Sequence, residues 1–168
     1  MPATQRGATN VGVALALSVS LGGIIFILTA IAPLQHWRKA LAISKQLRHI
    51  TEAATLSYRQ GVMQSRCLTQ TNTMTLSRLI SEQRLPIDIN QGLQTFEVKL
   101  IDLPINGWTR PSQIQTTVTF QSLADLHAVI DNLPAGKVDN LSLTVSTPLH
   151  IDITDNWAHF NKQTGCYE

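Results

Sequence analysis

Val11 to Leu34 reads VGVALALSVSLGGIIFILTAIAPL, and this stretch decides how the chain is organised. It lies inside a run from Gly7 to Gln35, 29 positions without a charged residue. About 20 apolar residues suffice for a helix to cross the hydrocarbon core of a bilayer. The densest part is Ile24-Ile25-Phe26-Ile27-Leu28. A cleavable secretory signal has a shorter apolar region followed by small residues at a cut site. Pro33-Leu34-Gln35-His36-Trp37 does not supply one. The reading is therefore a retained transmembrane helix over 8–35, with Trp37 as an interfacial anchor. The chain has 168 residues, which leaves room for one small domain beyond the span.

Beyond the span the pattern stays helical. Leu34, Trp37, Leu41, Ser44, Leu47, Thr51, Ala54 and Tyr58 recur every three or four residues, and no Gly or Pro intervenes before Gly61. An amphipathic stem over 36–61 is expected, with a globular head over 62–168. Met74, Leu76, Leu79 and Ile80 predict a short second helix that ends before Leu85-Pro86. Phe96, Val98 and Leu100 alternate with polar residues, as do Ile114, Thr116, Val118 and Phe120, which reads as two half-buried strands. Asn106-Gly107 and Arg110-Pro111 mark turns between them. Ser122, with Asp125 three residues on, reads as the N-cap of a helix whose apolar face is Leu123, Leu126, Val129, Ile130 and Leu133. Pro134 and Gly136 stop it. Leu141, Leu143 and Val145, then Leu149, Ile151 and Ile153, predict two more strands. The fold class is α+β: a long N-terminal membrane and stem helix packed on a small, mostly antiparallel sheet.

Charge is uneven. Eight basic and two acidic residues lie between Arg38 and Arg84, against four basic and nine acidic from Leu85 to Glu168. A basic stem and an acidic head allow head-to-stem contact between copies, or simply two solvated surfaces. Orientation is contested. Only Arg6 and the amino terminus precede the span, whereas Arg38, Lys39, Lys45 and Arg48 follow it. The positive-inside rule alone would leave the C-terminal part in the cytoplasm. Cys67 and Cys166, an even and distant pair, instead fit a disulfide in an oxidising compartment; two free thiols are the other reading. Paired, they would close a loop of about 100 residues, worth up to ~4.7 kcal/mol in the chain-entropy model.

No nucleophile elbow, phosphate-cradling glycine loop or zinc-protease motif is present, so no catalytic residue, cofactor or metal is expected. His150, Asp152, Asp155 and His159 are the one cluster of ligand-type side chains, and they read as the solvent side of the last strand. The stem's few aromatics are not interleaved with its cations, so nucleic acid is not an expected partner. Basic residues beside a span more commonly meet lipid head groups. Within the span, Ala14, Ser18 and Gly22 form one row of small residues, and Gly12, Ala16 and Ser20 an adjacent one. Such rows permit close packing against another membrane helix.

The start, Met1-Pro2-Ala3-Thr4-Gln5-Arg6-Gly7 followed by Ala8-Thr9-Asn10-Val11-Gly12, resembles the N-terminus of type IV prepilins and pseudopilins. Ala53-Ala54 through Tyr58, Cys67, Thr75 to Ile80 and Leu85-Pro86 resemble the end of a pilin stem and the segment leading into its head. The resemblance implies that 1–7 is a leader, cut by a prepilin peptidase between Gly7 and Ala8. It also implies a four-stranded antiparallel head with a disulfide near the C-terminus, where Cys166 lies. The implied protein is a non-enzymatic minor pilin-like subunit of a type IV pilus or type II secretion-like filament. It would sit in the inner membrane before assembly, with its head periplasmic or extracellular, and would pack on other pilin or assembly-machinery subunits through its N-terminal helix. Two departures stand out. Ala8 replaces the usual Phe, and Gly12 stands where pilins carry a glutamate.

A second family is also similar. The bitopic assembly-platform proteins of the same machines have a short cytoplasmic tail, one span, a helical stem and a ferredoxin-like domain. The run from Ile114 to Ile153 resembles the end of such a domain. The cysteine pair and the Arg6-Gly7 boundary favour the pilin-like reading. The missing glutamate and the basic flank favour the platform. A membrane-tethered enzyme or a solute-binding sensor is the alternative from another class.

Overall fold

A computed structural model describes residues 5–69, 73–105, 107–150 and 159–167, with the side chains of 5–12, 15 and 19–32 left undescribed. The chain divides into two compact units, Met1–Lys39 and Ala40–Glu168. One helix, α1 (Gln5–Ser65), supplies the backbone of the first and enters the second, and Pro33 lies inside it. In the first unit Val13 and Leu17 are 60% and 59% exposed, and Leu34 and Trp37 also face outward. Among the described residues no helix is long and apolar enough to cross a membrane. The most apolar part of the expected 8–35 span, 19–32, has its side chains outside the described residues, so the span stays a reading of the sequence.

The second unit has one core. From α1 it takes Ala40, Ile43, Leu47, Ile50, Ala54 and Tyr58. Of the expected stem stripe only Leu47, Ala54 and Tyr58 are among them, whereas Leu34, Trp37 and Leu41 are exposed, so the buried face is turned away from the expected one. This face lies on a four-stranded sheet of β1 (Thr95–Ile105), β2 (Trp108–Thr119), β3 (Lys137–Asp139) and β4 (Ser142–Pro148). The strand order is β1-β2-β4-β3, and every neighbouring pair is antiparallel. Period-two alternation sends Phe96, Val98, Ile114, Thr116, Val118 and Leu143 into the core. Thr116 is buried with its hydroxyl 3.1 Å from that of Thr51 on α1, which satisfies a polar group that would be costly unpaired. The second and third helices close the core with Leu76 and Leu79 of α2 (Leu76–Ser81) and Leu126 and Val129 of α3 (Leu123–Val129). A single 3₁₀ turn, Ile130–Asn132, follows α3.

The expected Ser122 cap forms, and Thr75 caps α2 in the same way. Ser122 Oγ accepts the backbone N–H of Asp125, and Thr75 Oγ1 accepts that of Arg78, each at 3.2 Å. Because α3 connects β2 to β3 while β4 lies between them, β2 and β3 run parallel to each other across an antiparallel strand. Gly107, with φ of +96°, carries the turn between β1 and β2.

Several expectations need correction. Arg110-Pro111 is not a turn; both residues lie in β2, where Asp102 pairs with Pro111 and Ile101 with Gln113. Ser112 is the extra residue of a bulge, which is where a sheet tolerates a proline without its N–H. Leu123 is 54% exposed rather than part of the α3 core face, because only Leu126 and Val129 in that helix turn fully inward. The stem helix passes residue 61 and ends at Ser65; a glycine weakens a helix but does not stop one. The strand expected over Leu149, Ile151 and Ile153 does not start at Leu149, which follows β4, and 151–158 lie outside the described residues.

Candidate functional site

The candidate site of the second unit is built from three surface features. The first is a stapled C-terminus. At the end of α1, Arg66 adopts φ of +55° and turns the chain sharply. Cys67 then forms a disulfide with Cys166, so the two expected cysteines do come together across 99 positions. Backbone bonds flank the bridge: Leu68 N–H donates to Gly165 C=O at 2.9 Å, and Tyr167 N–H to Arg66 C=O at 2.7 Å. Strands β5 (Phe160–Asn161) and β6 (Cys166–Tyr167) form the small hairpin thus held.

The Trp108 ring covers Gly165, where any Cβ would come within 2.5 Å of it, and Gly165 also has φ of +72°. Glycine is required there on both counts. Trp108 Nε1 donates to Lys162 C=O at 3.0 Å, and Phe160 meets Trp108 edge-on with ring centres 6.1 Å apart. Beneath the staple, the buried Tyr58 hydroxyl donates to Leu68 C=O at 2.7 Å. Burial pushes its pKa up to about 12; Arg110 opposes this by a smaller amount, and Asp102 adds slightly to the rise.

The second feature is a groove of about 650 Å³ between α1 and the β4 side of the sheet. Leu47, Leu56, Pro134 and Val145 give it apolar walls, and Arg48 and Arg59 stand among its polar lining. It opens beside β4 where β3 has stopped, because β3 pairs only with Ser142 to Thr144.

The third is a polar node. Glu82, the C-cap of α2, accepts Arg78 Nε–H at 2.7 Å on Oε1, and takes Ser57 Oγ–H at 2.7 Å and Arg84 Nε–H at 3.0 Å on Oε2. Arg84 also donates to Gln60 Oε1. Partial burial raises the Glu82 carboxyl, but the hydrogen bonds from Arg78, Ser57 and Arg84 outweigh it and hold the group below its ordinary value. This node was missed in the sequence; the Arg78–Glu82 spacing of four along a helix was its visible signal.

The remaining expected site residues are scattered. Ala14, Ala16 and Ser18 are exposed on α1, while the surroundings of Gly7, Ala8, Gly12, Ser20 and Gly22 lie outside the described residues. His150 and His159 are exposed; Asp152 and Asp155 lie outside the described residues. Among the described residues no group of three or more His, Cys, Asp or Glu is placed to hold a metal ion. Comparison of the chain with protein-family models, with curated proteins and with solved structures finds no match.

Proposed function

We infer that the chain is a bitopic assembly-platform protein of a type IV pilus or type II secretion machine. On this reading 8–35 spans the inner membrane and 40–168 forms its periplasmic domain. The protein is a non-enzymatic scaffold that binds other machinery subunits. The observation that carries this is topological. Strands β2 and β3, joined through α3 with β4 between them, form a split β-α-β unit, the building block of ferredoxin-like domains. The C-terminal part of α1 shares one core with α3 and then leads into β1, which pairs with β2 at the other side. Read cyclically from β2 and leaving aside the short α2 and the β5–β6 hairpin, the order is β-α-β-β-α-β, with the last helix and strand moved to the front of the chain. A simple four-strand meander would instead give neighbours in sequence order. The Gly at position 12 agrees with this reading.

A minor pilin-like subunit is the second reading, favoured by the Arg6-Gly7-Ala8 boundary and by the disulfide near the C-terminus. Fractionation separates the two. A platform protein stays with the inner membrane and co-purifies with machinery subunits after filaments are sheared off. Recovery of the chain in the sheared filaments would rule the platform reading out and support the pilin reading.

A further inference from the structure

Ser57, Gln60, Gly61 and Gln64 occupy one face of α1, at spacings of three and four residues. Opposite them stand Arg78, Glu82 and Arg84, and together these side chains line a cavity of about 260 Å³. That is smaller than the ~300–1,000 Å³ typical of pockets for drug-sized ligands, and it suits a single small group. Arg84 reaches the cavity because Gln83 takes φ of +56°, a left-handed conformation that favours glycine. It ends α2 with Arg84 N–H donating to Leu79 C=O at 2.9 Å and Gln83 N–H to Ile80 C=O at 2.9 Å. A glutamine is thus held in an unfavourable backbone region, and the result is two guanidinium groups on one carboxylate.

One carboxylate cannot balance that pair. Glu82 receives both Nε–H groups, and the cluster keeps one net positive charge. Arg78 Nη1 is buried and has no hydrogen-bond partner. A guanidinium presents its donors in a fixed planar fork that matches carboxylate and phosphate oxygens. Gln60 and Gln64 add neutral amides to the same wall.

We propose that this cavity is an oxyanion site, in which Arg78 and Arg84 hold one carboxylate- or phosphate-sized group beside Glu82. The group is either a free inorganic ion or a carboxylate side chain of a protein neighbour. Glu82 plays two parts: it aligns the two guanidinium groups, and its own charge weakens the incoming anion. The site does not depend on which assembly role the chain has.

The test is a titration of the full chain, purified in detergent, with arginine side chains labelled with ¹⁵N. Inorganic phosphate and acetate are added separately at constant ionic strength, with chloride as the control. The proposal expects saturable shifts of the Arg78 and Arg84 Nε signals that chloride does not produce. Tighter binding of phosphate assigns a free ion, and tighter binding of acetate assigns a carboxylate neighbour. Arg78→Gln weakens binding at least about tenfold through loss of a charge-assisted contact. Glu82→Gln tightens it several-fold, a change that a purely structural node would not give. Shifts that rise linearly without saturating, or that persist unchanged in Arg78→Gln, would overturn the proposal.

Discussion

Two stretches of α1 both carry apolar residues but arrange them in different ways. From Ala40 to Tyr58 the apolar residues gather on one face, and Ala40, Ile50, Ala54 and Tyr58 are almost fully buried against the sheet. Val13, Ala14, Ala16 and Leu17 are exposed, and the described residues of the first unit form no core. The difference lies in pattern. A stripe at three- and four-residue spacing needs one partner surface, which the chain itself provides. A helix apolar all round needs an apolar environment, which on the proposed function is the bilayer. On that proposal two segments of one helix depend on different solvents.

The sharpest way to break this contrast is to place the same charge on both stretches. Ile50→Asp puts a carboxylate into the core and should cost at least about 4 kcal/mol of head stability, read by denaturant unfolding. Leu17→Asp should change that unfolding by less than about 0.5 kcal/mol while sharply reducing recovery in the membrane fraction.

The staple gives the next largest effect. Replacing Cys67 and Cys166 together by Ser should cost roughly 3 kcal/mol, measured against the oxidised protein, because the open chain regains loop entropy. The first unit has no such constraint to lose.

Tyr58→Phe should cost about 1–2 kcal/mol by leaving Leu68 C=O unpaired beneath the staple. It also has a pH signature. The phenol titrates at about 12 in the folded chain, against 10.0 for the free side chain. The stability this shift represents is fully present below pH 10.0 and is lost as pH rises through about 12. Wild-type stability should fall over that window more steeply than that of Tyr58→Phe. The smallest effect is at the second cap, where Ser122→Ala should cost about 1 kcal/mol by removing the acceptor for Asp125 N–H.

Much of the second unit was legible because local chemistry and tertiary packing agree there. The helical stem, the Ser122 cap and the alternation along β1 and β2 each follow from a single periodicity or a single side chain, although the expected stem stripe lies on the wrong face at Leu34, Trp37 and Leu41. What escaped depended on partners far away in sequence. Pro111 looks like a turn until the bulge opposite Ile101 and Asp102 accommodates it. Val138 in β3 is exposed and leaves no alternation to read; its strand exists because β4 offers an edge. Leu123 fits the helical stripe, but α3 is only seven residues long and turns Leu126 and Val129 inward instead. The Glu82 node joins positions 57, 60, 78, 82 and 84, and Ser57 and Gln60 reach it from α1, 25 and 24 residues from their partners. The strand order β1-β2-β4-β3 leaves no local trace at all.

The central claim is that this chain is a platform protein and not a processed filament subunit. The intact mass of the protein isolated from its own membrane tests it most directly. The account predicts that residues 2–7 remain attached, with or without the initiator methionine. A mature chain beginning at Ala8 would contradict it.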